Sequence, residues 1–363
     1  MYYDKIRHRH SQVLAATGLT PVEFDALLVT FKYHWDKYYS HFTLEGKVRQ
    51  RISYNRKTSV LPLIQDKMFF ILVYLKTNPL QELHAIQFEM TQPQVDRWIH
   101  LLSEILRRTL KTLGELPDRN SKRLIHILQE CEEVLLDGTE RPIQRPLDED
   151  RQSACYSGKK THSIKNSLLC TNNLRIVWLS STYEGHVHDK KICDEEPLLL
   201  PRGIRLWQDT GFIGHRPDGV EICMPRKKTK GKELTAVEKQ ENKRISGIRI
   251  KVEHAIGGMK KCRIVKERFR CHKFGFEDMV ILTCLWITQL QNQTQNESYN
   301  KLIYIMSNKS SVNFFFNNKT QIEPSFFRRG GSICVLLQQV MNYLRRPSSL
   351  TIARYLSISR FFK

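Results

Sequence analysis

The sequence lacks the long apolar run that a membrane-spanning helix needs, and it is short of acidic residues. No stretch approaches the ~20 consecutive apolar residues of a membrane span, although 40% of the 363 residues are hydrophobic. The first residues also lack the apolar segment of a secretory signal peptide. Lys and Arg number 58 against 37 Asp and Glu, a formal net charge of +21. We therefore expect no membrane partner, and a location in the cytoplasm, associated with the nucleoid (the nucleus in a eukaryotic host).

Cysteine pairs with metal-site spacing and internal repeats are also missing. The nine cysteines are an odd number and form no C-x-x-C pair, which argues against a disulfide framework and a structural zinc site. The excess of Lys and Arg is spread over several predicted elements and is not gathered on one amphipathic helix. This distribution favours nucleic acid as the partner over an anionic membrane surface.

The sequence predicts that the N-terminal third is helical. Thr20 to Glu23 form a capping box with proline at the first helical position, which predicts a helix start. From Pro62 to about Leu113 the pattern is helix, helix, turn, helix, which fits a helix-turn-helix whose last helix enters the major groove. A plain three-helix bundle with a solvated face explains the same pattern. On the DNA-binding interpretation, the polar face of the last helix contacts DNA through Gln94, Arg97 and His100.

Short strands follow, then a long helix. We predict strands at 134–137, 142–144, 163–170, 175–181 and 205–208, and a helix that begins near His188 and Asp189. A second capping box at Thr235 predicts a helix that runs to about Gly257. The alternation of strands and helices indicates an α/β domain.

Three acidic residues lie at the ends of these elements. Asp137 and Asp209 each close a short apolar run, and each is followed within two residues by glycine. Glu253 lies on the flank of the long helix, about 100° from its apolar stripe. Carboxylates are the ligands that divalent magnesium prefers, and two such ions can catalyse phosphodiester chemistry. Simpler explanations exist: Asp-Gly marks a hairpin turn, and Glu253 could form a surface ion pair with Arg249.

Five motifs occur together in the order seen in a known family: DGTERPIQRP, YSGKKTHSIKN, GHVHDKKICDE, QDTGF and KGKELTAVEKQENKRISGIRIKVEHAIGG. Over roughly Leu19 to Gln289 the chain resembles the DDE transposases of the Harbinger-like and related insertion-sequence group. The resemblance implies a ribonuclease-H-like catalytic domain preceded by an all-α helix-turn-helix domain. It also implies that Asp137, Asp209 and Glu253 are the catalytic, metal-binding trio.

The resemblance further implies a function. Two Mg²⁺ or Mn²⁺ ions per active site would support cleavage at the ends of a DNA element and joining of its 3′-hydroxyl to target DNA. The partners would then be double-stranded DNA, namely terminal inverted repeats and target. Bringing two ends together favours a homo-oligomer. The alternative is a catalytically silent or domesticated DNA-binding protein of the same fold.

Other polar motifs are weaker candidates for functional sites. His186, His188, Asp189 and Cys193 admit a zinc site, although histidine more often serves as a structural hydrogen-bonding residue. The resemblance instead gives Asp189 and His188, together with Arg249, a supporting role beside the trio. Basic residues near the trio are candidates for phosphate contacts, with a solvated charge run as the alternative: Lys159, Lys160, Arg226, Lys227, Lys228, Lys230 and Lys232.

The chain divides, on this interpretation, into four segments. They are an N-terminal helical segment with a basic linker (1–60), the helix-turn-helix domain (61–125), the catalytic domain (130–290) and an extension (291–363). The extension resembles nothing in the family. We interpret it as a foreign or frame-shifted addition, with an extra DNA-contacting segment as the alternative.

Overall fold

The computed structural model describes residues 1–51, 59–113, 116–158, 160–228 and 233–293, with backbone only for 290–293. The predicted extension therefore lies outside the described residues, apart from the backbone of 291–293. Lys159, Lys230 and Lys232 also lie outside them.

The N-terminal part is helical, as its sequence predicts. Its helices are α1 (His10–Thr17), α2 (Pro21–His41), α3 (Ile64–Thr77), α4 (Gln81–Phe88) and α5 (Gln92–Thr112). Thr20 and Glu23 form the predicted capping box at the start of α2, and Thr91 and Gln94 form one at the start of α5. The arrangement of α3, α4 and α5 confirms the helix-turn-helix pattern.

The second part is built around a six-stranded sheet. Its strands are β1 (Glu133–Pro142), β2 (Ser163–Thr171), β3 (Ile176–Leu179), β4 (Tyr183–Glu184), β5 (Arg205–Trp207) and β6 (Glu221–Cys223). The order is β3-β2-β1-β5-β6, and β4 pairs with β2. β1, β2 and β3 pair antiparallel, whereas β5 and β6 continue the sheet parallel to β1. Helices are α6 (Ser121–Ile127), α7 (Glu149–Cys155), α8 (Asp189–Glu195), α9 (Ala236–Met259), α10 (Arg263–Lys266) and α11 (Phe276–Gln293).

Helices cover both faces of the sheet because successive strand residues point to opposite sides. Leu135 on β1 packs in the same cluster as Val252 of α9 and Ile281 of α11. Its neighbour Leu136 packs in a second cluster with Cys193 of α8. This sheet order, with helices on both faces, confirms an α/β domain of the ribonuclease-H-like kind that follows an all-α domain in the sequence.

The Asp-Gly pair of β1 is not a turn. The sequence suggested two strands, 134–137 and 142–144, but β1 is one strand of ten residues that passes straight through Asp137 and Gly138. Asp137 pairs with Leu168, and Gly138 pairs with Ser167. The hairpin interpretation was therefore wrong, because ladder pairing with β2 continues on both sides of the glycine.

The helical part and the sheet part share one apolar core. A single buried cluster runs from Phe31 of α2 through α3 and α5 to α9 and α11. Polar contacts cross the same junction: Nδ2 of Asn78, after α3, donates to Glu267 at 3.1 Å. The domain boundaries at 60 and 125 remain predictions, and this core crosses both of them.

No single helix in the described ranges is long and apolar enough to cross a membrane. α1 and α2 meet the length and composition criteria only as a pair, with a bend of 54° between them. Val13, Phe24 and Phe31 of these two helices are buried in the protein's own core.

Candidate active site

Asp137 and Asp209 lie side by side on two adjacent parallel strands. Asp209 comes two residues after the end of β5, and Asp137 lies within β1, just past the point where β1 stops pairing with β5. Leu135 of β1 is in register with Trp207 of β5, and each acid follows two residues later. Neighbouring strands are ~4.8 Å apart, and a shift of two residues restores the same face. Both carboxylates therefore point toward the face that α9 covers. Ligand sites in open α/β sheets lie at such strand ends.

Each aspartate is held by a backbone N–H from the glycine that follows it. The Gly138 N–H donates to Oδ1 of Asp137 at 2.9 Å, and the Gly211 N–H donates to Oδ1 of Asp209 at 2.6 Å. Asp209 thereby caps the short 3-10 helix Thr210–Phe212. The two carboxylates are consequently fixed by their own local backbone.

The Arg249 side chain reaches from α9 to both aspartates. Its Nη2 lies 3.5 Å from Oδ1 of Asp137 and 3.7 Å from Oδ2 of Asp209. The sequence suggested that Arg249 would pair with Glu253, but its ion pairs in the structure are with the two strand-end acids. The helix places it there because residue 249 faces the same side as the buried Ile245 and Val252.

Glu253 lies one helical turn after Arg249 and is exposed. Its charge is close enough to act on the first aspartate, since Asp209 and Glu253 both raise the pKa of Asp137. Burial is the largest cause, Arg249 lowers the value, and the net effect raises the pKa of Asp137 to about 6. The three acids therefore form one electrostatic group at the edge of the sheet.

A fourth carboxylate, Asp189, approaches Asp209 from the other side. A Cβ built on Gly211 would lie 2.9 Å from Oδ2 of Asp189 and 2.9 Å from Oδ1 of Asp209. A Cβ on Gly138 would lie 3.4 Å from Oδ1 of Asp189. A side chain at position 211 would therefore displace one of these carboxylates, whereas at position 138 a Cβ would make ordinary van der Waals contact.

Lys165 on β2 is the cation that faces Asp189. Its Nζ lies 3.7 Å from Oδ1 of Asp189 and donates to the Val187 carbonyl at 3.1 Å. Burial raises the pKa of Asp189 and the Lys165 charge opposes that shift, while Asp209 adds to it. Sequence reasoning missed Lys165 and Gly211, although both lie within quoted motifs, because their roles depend on cross-strand neighbours.

The zinc interpretation of the histidine pair has no support in the described part of the chain, where no group of three His, Cys, Asp or Glu side chains is arranged to hold a metal ion. His186 pairs with the Ala154 carbonyl through Nδ1 at 2.5 Å. His188 is the N-cap residue of α8 and is exposed, and Cys193 is buried.

The donor set at the strand ends nevertheless suits a hard divalent cation. Asp137, Asp209 and Glu253 offer only carboxylate oxygens, which magnesium and manganese accept. Two of these carboxylates already share one cationic group, the Arg249 guanidinium. The Arg249 Nη2 atom lies between the two aspartates, within 3.7 Å of an oxygen of each.

The predicted phosphate-contacting residues that the structure describes, Lys160, Arg226, Lys227 and Lys228, are exposed, and two of them have acidic neighbours. Arg226 contacts Glu238 at 2.8 Å, and Lys228 contacts Glu233. Lys160 and Lys227 are exposed. The Arg226–Lys228 segment is attached to the start of α9, since the Arg226 N–H donates to Oδ1 of Asn242 at 2.8 Å.

On the helix-turn-helix, the three predicted DNA-contacting residues have different surroundings. Arg97 is exposed and lies 3.7 Å from Glu45. The Gln94 side chain takes part in the capping box of α5, because its Oε1 accepts a hydrogen bond from the Thr91 N–H at 2.9 Å. His100 packs edge-on against Phe276 at 4.8 Å between ring centroids, and only 17% of its side chain is exposed. The structure thus favours a packing role for His100.

Comparison with known proteins gives two family matches and one curated relative. A family described as "DDE superfamily endonuclease" matches residues 136–289, and a family described as "helix-turn-helix of DDE superfamily endonuclease" matches residues 60–112. The probable transposase for insertion sequence element IS702 of Microchaete diplosiphon is 24% identical over 222 residues, which are 60% of this chain and 78% of the relative. No solved structure matches the chain significantly.

The two family matches fall on the two parts of the fold described above. The first covers the strand-end aspartates and α9, and the second covers α3, α4 and α5. The Harbinger-like subgroup is untested by these matches and stays a prediction. Residues 136–289 therefore match the DDE superfamily of endonucleases, and residues 60–112, ahead of them, match that superfamily's helix-turn-helix.

Proposed function

We propose that this protein is a DNA transposase that cuts the ends of a DNA element and joins the freed 3′-hydroxyl to target DNA. The observation that carries this proposal is the placement of Asp137 and Asp209, each two residues past the register pair Leu135 and Trp207, with Glu253 on the helix that covers them. The curated relative is named as a probable transposase, which supports the same reaction class.

Asp137, Asp209 and Glu253 are proposed as the ligands for two divalent ions. When bound, such ions activate a water for in-line attack on a phosphodiester and stabilise the leaving oxygen. The Gly138 and Gly211 N–H groups hold one oxygen of each aspartate, which fixes the direction in which the carboxylates point. Glu253, being exposed on α9, is free to turn toward the strand ends.

Neighbouring residues are proposed to position this trio. Asp189, supported by Lys165, limits where Asp209 can go, because the two carboxylates flank Gly211. No protein side chain needs to act as a nucleophile in this reaction, since water and then the 3′-hydroxyl attack phosphorus directly.

DNA binding is assigned to the helix-turn-helix and to basic residues near the trio. Arg97 on α5 and the exposed Lys160, Arg226 and Lys227 are the proposed contacts in the described chain. The net charge of +21 favours a salt-dependent association with the phosphate backbone. Two such chains would hold the two ends of one element.

The test is a nicking and joining assay with duplexes that carry the DNA flanking the protein's own coding sequence. Wild type is expected to nick these duplexes with Mg²⁺ or Mn²⁺ and not with EDTA, and Asp137→Asn is expected to bind them without nicking. A pre-cut duplex with a free 3′-hydroxyl should then be joined to plasmid DNA by wild type alone.

The alternative function is a DNA-binding protein that keeps the fold without the reaction. It predicts equal DNA affinity for wild type and Asp137→Asn, with no metal-dependent nicking or joining by either. That outcome would contradict the proposal that the protein is an enzyme and would support the proposal that it only binds DNA.

A further inference from the structure

The Arg249 guanidinium occupies the position between Asp137 and Asp209. One nitrogen atom, Nη2, contacts an oxygen of each acid, at 3.5 and 3.7 Å. Only 14% of the Arg249 side chain and 15% of the Asp137 side chain are exposed. Water therefore screens this ion pair much less than it screens a surface pair.

The two aspartates need a cation in this position. The Asp137 side chain is mostly removed from water, and 37% of the Asp209 side chain is exposed. Two neighbouring carboxylates repel each other, and an adjacent opposite charge relieves that repulsion. Arg249 is placed to provide that charge, because its Nη2 lies within 3.7 Å of an oxygen of each carboxylate.

The Arg249 guanidinium is buried with one of its donors unpaired. Its Nε has no hydrogen-bond partner among the described residues, although a buried guanidinium N–H normally has one. The charged groups that contact the guanidinium are the two carboxylates, through Nη2.

We propose that Arg249 is a built-in counter-ion of the metal-free centre, and that a divalent ion must displace its guanidinium to bind. This inference rests on the proposed function and adds how the same site is regulated. Metal ligands lie at ~2.0–2.1 Å from magnesium. An ion that close to the two aspartates cannot share the position with a guanidinium nitrogen that is itself in contact with both.

Two roles for Arg249 predict opposite changes in metal affinity. A competing counter-ion lowers metal affinity, so its removal tightens metal binding. A supporting residue that orients the carboxylates for the metal raises affinity, so its removal weakens metal binding. The sign of the change therefore decides between them without any measurement of DNA cleavage.

The experiment is a calorimetric titration of the full chain with Mn²⁺ in the absence of DNA. Arg249→Met keeps much of the aliphatic volume and removes the charge, and we expect its Mn²⁺ affinity to exceed that of wild type by at least about tenfold. Without metal the variant leaves the aspartates unneutralised, so its melting temperature in EDTA should fall below that of wild type. Saturating Mn²⁺ should restore it.

The matched control is Arg244→Met on the same helix. Arg244 is 56% exposed, and its ion pair is with Glu241 at 2.7 Å. Its guanidinium lies over the Trp207 ring and forms no ion pair with either aspartate among the described residues, so the Mn²⁺ affinity of the variant should equal that of wild type. Arg249→Gln is the second variant, in case Arg249→Met does not fold. It also removes the charge, and the same tightening is expected.

Unchanged or weaker Mn²⁺ binding by the folded Arg249 variants would overturn the counter-ion role. Asp137→Asn separates this failure from a failure of the proposed metal centre. If Asp137→Asn abolishes Mn²⁺ binding and the Arg249 variants do not tighten it, only the counter-ion inference fails. If neither wild type nor the Arg249 variants bind Mn²⁺, or if Asp137→Asn binds it as well as wild type does, the proposed centre fails and the inference fails with it.

Discussion

Leu135 of β1 and Trp207 of β5 are register partners on adjacent parallel strands. Each is followed two residues later by an aspartate, which brings Asp137 and Asp209 to the same edge and the same face of the sheet. Helix α9 packs on that face through Val252 and Ile256, and it carries Arg249 and Glu253 to the two acids. The candidate site thus follows from strand register and from one helix.

Gly211→Ala should disrupt the site without a large change in the fold. The new Cβ would lie 2.9 Å from oxygens of both Asp189 and Asp209, so at least one carboxylate must move. We expect metal-dependent nicking to fall by about tenfold or more, since displaced metal-site neighbours typically cost about 10–100-fold. The control is Gly257→Ala on α9, where nothing lies within 4 Å of the added Cβ. Equal nicking by both variants would show that the close approach at Gly211 is unimportant.

Asp189→Asn should lower nicking while leaving DNA affinity unchanged. The substitution keeps the shape against Gly138 and Gly211 and removes the charge that faces Lys165 and Asp209. We expect a loss of about 10–100-fold, the usual range for a residue that orients a metal ligand. Asp194→Asn on the same helix, whose partner Lys190 lies 2.5 Å away, is the matched control and should be neutral. Equal nicking rates for the two variants would reject a positioning role for Asp189.

Arg97→Ala should weaken binding to the element's terminal-repeat duplex. Arg97 is exposed on α5, and loss of one arginine contact to a base edge costs about 1–3 kcal/mol. His100→Ala is the informative comparison, because His100 packs on Phe276. It should lower the melting temperature and change DNA affinity little. Fluorescence anisotropy at two salt concentrations measures both affinities, and the reverse ranking would mean that α5 does not read DNA as proposed.

His84 should make the fold less stable in mild acid. Its ring is buried between Phe70 and Phe88, at 4.4 and 4.7 Å, and burial lowers its pKa from 6.5 to about 4. Between these values the unfolded chain holds more protons than the folded one, so stability present above pH 6.5 is lost as the pH falls toward 4.

Near pH 5, the loss of unfolding free energy that is caused by His84 should reach about 2 kcal/mol. Urea unfolding at about pH 7.5 and about pH 5 measures it as the excess loss in wild type over His84→Phe, which cannot be protonated. An equal loss in both proteins would show that His84 is not the titrating group.

Much of the fold could be predicted because its signals are local. The capping boxes at Thr20 and Thr235 set the starts of α2 and α9, and the short apolar runs before Asp137 and Asp209 marked β1 and β5. The Asp137-Gly138 pair failed as a turn signal because the choice between turn and strand depends on pairing with β2, which is a tertiary contact.

The site was predicted less completely than the fold. The acids themselves could be proposed from strand ends and motif order, but the partner of Arg249 could not. Helical spacing favoured Glu253, one turn away, whereas the structure pairs Arg249 with aspartates more than 39 residues distant in sequence. The packing of His100 on Phe276 is likewise invisible to periodicity, because it joins α5 to α11.

The most direct test of the account compares the three acids in one cleavage assay. Asp137→Asn, Asp209→Asn and Glu253→Gln remove one carboxylate charge each with little change in shape, and Asp194→Asn is the control. With Mn²⁺ and the element-end duplex, we predict that each of the three lowers the nicking rate by about a thousandfold or more, equivalent to about 4 kcal/mol, while Asp194→Asn stays within about twofold of wild type. Nicking by any of the three at the wild-type rate would contradict the assignment of the active site.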